Sequence, residues 1–306
     1  MFNYILKWLF IIRNKLIIKN ILDLIEFILS YLVEVINYKS KIFGFFQVFS
    51  NGKLISKLRL KKSLDLNKSN DEIVSAINKK SFKYLGKIEA DKVQKSKNYF
   101  LNVNKIFDSH IPRAKKNNHI YLKDFLSKKD SNYASYDIAT SINCPDLDKI
   151  CKNFKFREIA QKYLNTDEVY IYSINTMLSK KTENKHGVTK LHRDFDSSNS
   201  IVFFIYWTSV SKNDGATSVL PGSHLLSHNK NFHKNFSNFK ELNYLEGAEG
   251  SIFALDTWAY HRGNPEINQN RLVTWIRYTA VPAKTYYLDE NFLFKNDLNK
   301  FNKALI

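Results

Sequence analysis

The sequence predicts a mainly β domain, a sandwich or barrel of short strands entered through helices. Three observations predict it. After Leu178 the chain runs in β-prone stretches at 200–210 (SIVFFIYWTSV), 216–220, 250–255 and 272–281, separated by turn-rich loops. Before Leu178, helical and strand periodicities follow one another between 71 and 178. A chain of 306 residues that is 44% hydrophobic and 14% aromatic carries the apolar material for one large domain, or one domain with an appendage, which excludes a disordered chain.

Residues 1–46 form the appendage, an apolar, amphipathic helical segment. From Lys19 its polar positions (Asp23, Glu26, Ser30, Glu34, Asn37) recur every three or four residues, a narrow polar stripe on a helix that needs burial over most of its circumference. No uncharged apolar run approaches the ~18–20 residues of a membrane span, and the small-residue cleavage site of a secretory signal is missing. Two expectations stand side by side. The segment lies peripherally in a membrane interface, with Lys7, Arg13, Lys15 and Lys19 meeting anionic headgroups; or it packs on the protein's own body or on a second copy in a homodimer. Residues 47–69, with a turn at Asn51-Gly52 and a basic polar run, read as a linker, 70–290 as the main domain, and 291–306 as a C-terminal tail.

Within the main domain, DEIVSA (71–76) starts a helix capped by Asp71 or Asn70. SFKYLGKI alternates as a strand, and EADKVQKSKNYFLNVNKIF returns to helix. FREIAQKYLN is a further amphipathic helix, and EVYIYSINTML a strand.

The formal net charge of +18 points to anionic partners, although saturation with Lys, Asn and Ile is also what drift toward AT-rich codons produces. No zinc-finger, helix-turn-helix or RNA-binding signature accompanies the charge, so nucleic acid is not an expected partner. Cys144 and Cys151 stand seven residues apart without CxxC spacing, which indicates neither a zinc site nor a disulfide framework and predicts a reducing, cytoplasmic compartment.

The chemistry concentrates around KLHRDFDSSNS (190–200). A His-x-Asp pair at a strand edge points both side chains to one face, so His192 and Asp194 can grip one ion. Asp196 shares that face. Completing a two-histidine, one-carboxylate triad that leaves three positions open on Fe(II) requires a distant histidine. His224 lies in the turn-like LPGSH, and His228 and His233 fall in a polar loop poorly suited to preorganised ligation. His261, by contrast, ends the strand-like GSIFALDTWAY, and ten residues on Arg271 opens the next strand. A buried arginine there is costly unless it meets a carboxylate, so triad and arginine together describe a site for a keto-acid cosubstrate.

This ordered set, His192-x-Asp194, then YWTSVSKNDGATSVLPGSH (206–224), then His261 with Arg271, resembles the phytanoyl-CoA dioxygenase family of Fe(II)/2-oxoglutarate oxygenases. SFKYLGKIEADKVQKSKNYF (81–100) and FREIAQKYLNTDEVYIYS (156–173) resemble the family's lead-in, so the likeness covers roughly 70–285. It implies a double-stranded β-helix (a cupin-like jelly roll). It further implies Fe(II) held by His192, Asp194 and His261, with Arg271 binding the cosubstrate 2-oxoglutarate, and O2 as second cosubstrate. The implied reaction is hydroxylation of a small-molecule or lipid- or carrier-linked substrate with release of succinate and CO2. Asp194, matching the family's pattern and offering a shorter bite than Asp196, argues against halogenation, for which family members lack the carboxylate. Two departures stand out: Arg193 where relatives often carry glutamine, and Gly263 where a hydroxyl residue commonly helps to hold the cosubstrate. Arg193 is expected to face solvent or an anionic substrate, and the basic loop 179–190, with Lys185 and Lys190, either to favour such a substrate or simply to be solvated. The rival readings are a non-catalytic descendant that binds membrane or a partner, and a cupin-like metal enzyme without 2-oxoglutarate. Arg271 discriminates against both.

Overall fold

A computed structural model of the chain describes residues 71–108, 119–128, 133–167, 169–180, 190–194, 200–226, 239–264 and 268–279. The expected segments 1–46, 47–69 and 291–306, together with Lys185, Asp196, His228 and His233, lie outside the described residues. Among the described residues no helix is long and apolar enough to cross a membrane.

Asp71 starts the fold as a helix cap, its carboxylate accepting hydrogen bonds from the N–H of Ile73 at 3.1 Å and of Val74 at 3.2 Å. Helix α1 (Glu72–Lys80) ends on Ser81 in the left-handed conformation, φ 74°. Strand β1 (Phe82–Lys87) and helix α2 (Ala90–Leu101) follow. The helix expected to reach Phe107 stops earlier. Asn102 closes it, its N–H donating to Asn98 O at 3.0 Å, and Ile106 and Phe107 are drawn instead into β2 (Lys105–Asp108), paired with β3 (His119–Tyr121). Then come α3 (Leu122–Ser127), β4 (Tyr133–Ser135), α4 (Ile138–Ile142), α5 (Leu147–Asn153) and α6 (Phe156–Leu164). The remaining strands are β5 (Tyr170–Ser179), β6 (Ser200–Tyr206), β7 (Thr217–Val219), β8 (Asn243–Tyr244), β9 (Ser251–Leu255), β10 (His261–Gly263) and β11 (Arg271–Thr279).

Eight strands form one antiparallel sheet in the order β1-β9-β6-β11-β5-β4-β2-β3, and β10-β7-β8 form a second, also antiparallel. These are the two sheets of a jelly roll, as the family resemblance implies. Strand alternation splits the large sheet cleanly. Ile201, Phe203, Ile205, Ile252, Ala254, Leu272 and Ile276 face outward into a core shared with α1, α2, α5 and α6. Val202, Phe204, Tyr206, Phe253, Leu255 and Val273 face inward, where Val219 and Leu245 of the small sheet's region meet them.

His261 begins a strand instead of ending one. Strand β9 stops at Leu255 because Asp256 turns the chain: its carboxylate accepts from Trp258 N at 2.9 Å and its carbonyl from Ala259 N at 3.0 Å. The chain then re-enters the sheets at His261, opposite Val219 of β7.

Candidate active site

The backbone brings the two predicted metal-binding histidines together directly. His192 and His261 form an antiparallel bridge in which each N–H donates to the other's carbonyl, at 2.9 and 2.8 Å, and their ring centroids lie 4.5 Å apart. Asp194 N donates to Thr257 O at 3.0 Å, which fixes the third residue two positions along the same edge. Nε2 of His192 and of His261 stand 3.7 and 3.8 Å from Oδ1 of Asp194, and the ligand atoms of the three residues lie within 4.8 Å of one another.

Both imidazoles are held with Nε2 toward that common point. Nδ1 of His192 donates to Lys190 O at 2.7 Å, and Nδ1 of His261 to Ala259 O at 2.9 Å. A carbonyl can only accept, so each Nδ1 carries a proton, and in the neutral ring Nε2 is then the atom left to bind an ion. Burial pushes His261 down to about 4, with His192 adding to the fall and Asp194 opposing it, so the ring is neutral at physiological pH. Burial alone would raise the Asp194 carboxyl, but Arg277 and the two histidines hold it below its ordinary value. Two imidazoles and one carboxylate, converging from one side, fit a divalent ion such as iron(II) with its other positions open.

Arg271 stands where the sequence places it, at the start of β11, facing inward and 7% exposed. Its Nη2 lies 3.4 Å from Thr217 Oγ1, and its guanidinium carbon 5.8 Å from the centre of the Tyr206 ring. No carboxylate among the described residues pairs with it, and burial depresses its pKa. A cation in such an interior calls for an anion that the described residues do not supply, and the distal carboxylate of 2-oxoglutarate has the matching charge and planarity. Thr217 and Val219 are i and i+2 on β7, with Val219 opposite His261 and Thr217 opposite Gly263. The arginine's contact and the metal site are therefore about 7 Å apart along that strand. The hydroxyl absent at Gly263 is present across the strand pair, on Thr217.

Arg193 departs from the expectation that it faces solvent or substrate. As residue i+1 of the His-x-Asp pair it points to the opposite side, 4% exposed. There its Nη2 donates to Ser223 O and, at 3.0 Å, to Leu226 O, while its guanidinium lies over the Tyr260 ring at 4.1 Å. It thus pins the turn through Pro221 and Gly222, whose i+2 position requires the left-handed φ of 71° that Gly222 adopts. His224, in the same turn, is a tethered core histidine, its Nδ1 2.7 Å from Ser81 Oγ. Lys190 contributes its backbone carbonyl to His192 and leaves its side chain exposed. Lys180 is buried, donating to Phe125 O at 2.8 Å.

The inner face of the large sheet is open beside the metal site. Asn175 and Met177 of β5 and Trp275 and Arg277 of β11 are part-exposed, whereas the outward-facing Ile174, Thr176, Leu178, Thr274 and Ile276 are buried. Asn175 and Trp275 are directly paired. Arg277 is a residue the sequence reading passed over: its Nη2 lies 2.9 Å from Oδ2 of Asp194. The available signal was its spacing of six from Arg271, which on a strand places both on one face.

The model of the family described as phytanoyl-CoA dioxygenase (PhyH) matches residues 100–271, a narrower span than the roughly 70–285 expected from motifs. Solved structures that the chain matches include EctD from S. alaskensis with 2-oxoglutarate and 5-hydroxyectoine, at 18% identity and a TM-score of 0.49 over 70% of this chain and 79% of that one. HygX from Streptomyces hygroscopicus with nickel, 2-oxoglutarate and hygromycin B is similar at 13% identity and a TM-score of 0.49, over 69% of this chain and 87% of that one. No curated protein sequence matches the chain significantly.

Proposed function

Since the chain belongs to the phytanoyl-CoA dioxygenase family and is an iron(II)- and 2-oxoglutarate-dependent oxygenase, we propose that it hydroxylates a C–H bond of a small-molecule or lipid- or carrier-linked substrate. The overall balance is substrate R–H, O2 and 2-oxoglutarate giving R–OH, succinate and CO2. One oxygen atom enters the alcohol and the other enters succinate.

In this reading His192, Asp194 and His261 hold the metal, and Arg271, with the Thr217 hydroxyl beside it, holds the distal carboxylate of the cosubstrate. The bound metal and keto acid supply the activation of dioxygen. The chain's own residues supply placement. The carbonyls of Lys190 and Ala259 fix the imidazole tautomers, and Arg193 braces the 220–226 turn behind the pair. The open inner face, with the Trp275 indole, the Met177 thioether and the Asn175 amide, offers a substrate an apolar wall with one hydrogen-bonding group.

One observation carries the proposal: three ligand atoms within 4.8 Å of one another beside a buried arginine that has no carboxylate among the described residues. Anaerobic protein loaded with Fe(II) is expected to develop a visible charge-transfer band on addition of 2-oxoglutarate, and Asp194→Ala to lose it. With candidate substrates under 18O2, the product should gain one labelled oxygen for each succinate formed. A protein that binds iron yet shows no band with 2-oxoglutarate overturns the reading, as does succinate formation with products that never carry the label.

A further inference from the structure

The two oxygens of Asp194 face different partners. Oδ1 stands 3.7 and 3.8 Å from the two imidazole Nε2 atoms, at the point where an ion would sit. Oδ2 is 2.9 Å from Arg277 Nη2. Arg277 is held in turn by the sheet. It is paired with Ser173 of β5 and Val202 of β6, near the middle of the eight strands, and its side chain is 18% exposed against 17% for Asp194. The neighbouring outward residues Ile276 and Tyr278 are buried in the helix-side core, so the backbone that carries Arg277 has little freedom to move.

We propose that Arg277 is a positioning residue that, by occupying Oδ2, makes Asp194 a one-oxygen ligand and so keeps three metal positions open. This rests on the metal-centre reading above. A free carboxylate can close on a metal with both oxygens, and the geometry of a strand edge does not forbid it. With two imidazoles, a two-oxygen aspartate would leave two positions on a six-coordinate ion, enough for a chelating keto acid and nothing more. An aspartate held by one oxygen leaves the third position that dioxygen needs. The guanidinium suits the task because it stays charged and stands at ion-pair distance from Oδ2.

The readout is the metal's own coordination, without turnover. Manganese(II), bound in place of iron, enhances the relaxation of water protons in proportion to the waters on it. The native protein is expected to show about three, the positions left by three protein ligands. Arg277→Met, which frees Oδ2 to close on the metal, is expected to show about two waters in place of three, with a changed Mn(II) affinity. Arg277→Lys, which restores a cationic donor, should recover most of both. Should Arg277→Met fail to fold, the lysine variant decides: native affinity and water number support the ion-pair role. Equal losses in lysine and methionine variants overturn it, because then the side chain's shape and not its charge is what matters. Unchanged affinity, within twofold, and unchanged water number in Arg277→Met also overturn it, while leaving the metal centre standing. Absence of Mn(II) binding that depends on Asp194 and His261 in the native protein removes the metal centre itself, and this proposal with it.

Discussion

Arg271→Met should move stability and cosubstrate affinity in opposite directions. The arginine is 7% exposed, its Nη2 lies 3.4 Å from Thr217 Oγ1, the Tyr206 side chain stands beside it, and no carboxylate among the described residues answers its charge. Without the cosubstrate it is a desolvated cation met by neutral groups, the Thr217 hydroxyl and the Tyr206 side chain. Methionine fills similar volume without the charge, and replacing buried charged groups by apolar ones of like volume is neutral to stabilising by about 1–4 kcal/mol. For a domain of this size each kcal/mol corresponds to roughly 2–4 °C in Tm. The metal-free variant should therefore melt several degrees above the native protein. Cosubstrate binding should suffer. A guanidinium fork donating two charge-assisted hydrogen bonds to a carboxylate contributes about 3–4 kcal/mol when each is worth about 1.5–3 kcal/mol before the cost of desolvation. That is on the order of 10²–10³ in affinity. Scanning calorimetry of the metal-free proteins, and titration of 2-oxoglutarate against the charge-transfer band of the anaerobic Fe(II) proteins, give the two numbers. A variant that melts below the native protein would show that Arg271 is a structural cation already satisfied by its surroundings. A 2-oxoglutarate affinity within threefold of native would show that the cosubstrate's distal carboxylate lies elsewhere.

Two further outcomes follow from the same geometry. Because burial lowers His261 to about 4 in the folded protein while its ordinary value is 6.5, the unfolded chain binds more protons between those values. Metal-free stability should accordingly decline as pH falls from about 6.5 toward 4, and denaturation midpoints of His261→Asn across that window should fall less steeply than those of the native protein; parallel slopes would refute the assignment. Ser81 is fully buried with φ 74°, and its Oγ accepts from Gly222 N at 3.0 Å while bonding His224 Nδ1. Removing that hydroxyl strands two buried groups at about 1–3 kcal/mol each, so Ser81→Ala should destabilise by about 2–4 kcal/mol in urea denaturation. Ser81→Gly should be milder by about 1 kcal/mol because glycine accepts the left-handed backbone without strain. An alanine variant as stable as the glycine variant would show that the backbone is not strained there.

What was legible in the sequence was whatever strand periodicity alone controls. The i, i+2 rule put His192 and Asp194 on one face, and the opening position of β11 put Arg271 inside; both hold in the structure. The boundaries that failed were settled by local hydrogen bonds that compete with periodicity. Asp256 diverts the apolar GSIFALDTWAY into a turn before His261, and Asn102 ends α2 so that Ile106 and Phe107 can pair as a strand. Arg193 misled for a different reason. A positive charge between two metal ligands invites a partner in the site, but the strand that aims its neighbours inward aims it outward, onto the carbonyls of the 220–226 turn. Arg277 is the converse. RLVTWIRYT shows only that its second arginine shares a face with Arg271, and not what it meets, because its partner, Asp194, is 83 residues earlier and reaches it only once β10 has been laid against the His192 edge and β11 has been registered between β5 and β6. Of the two inward arginines on β11, one meets a carboxylate supplied by the chain and the other meets none among the described residues. That contrast between residues of the same type, on the same face of the same strand, is what underlies the proposed division of labour, Arg277 in the metal's frame and Arg271 as the place of an incoming anion.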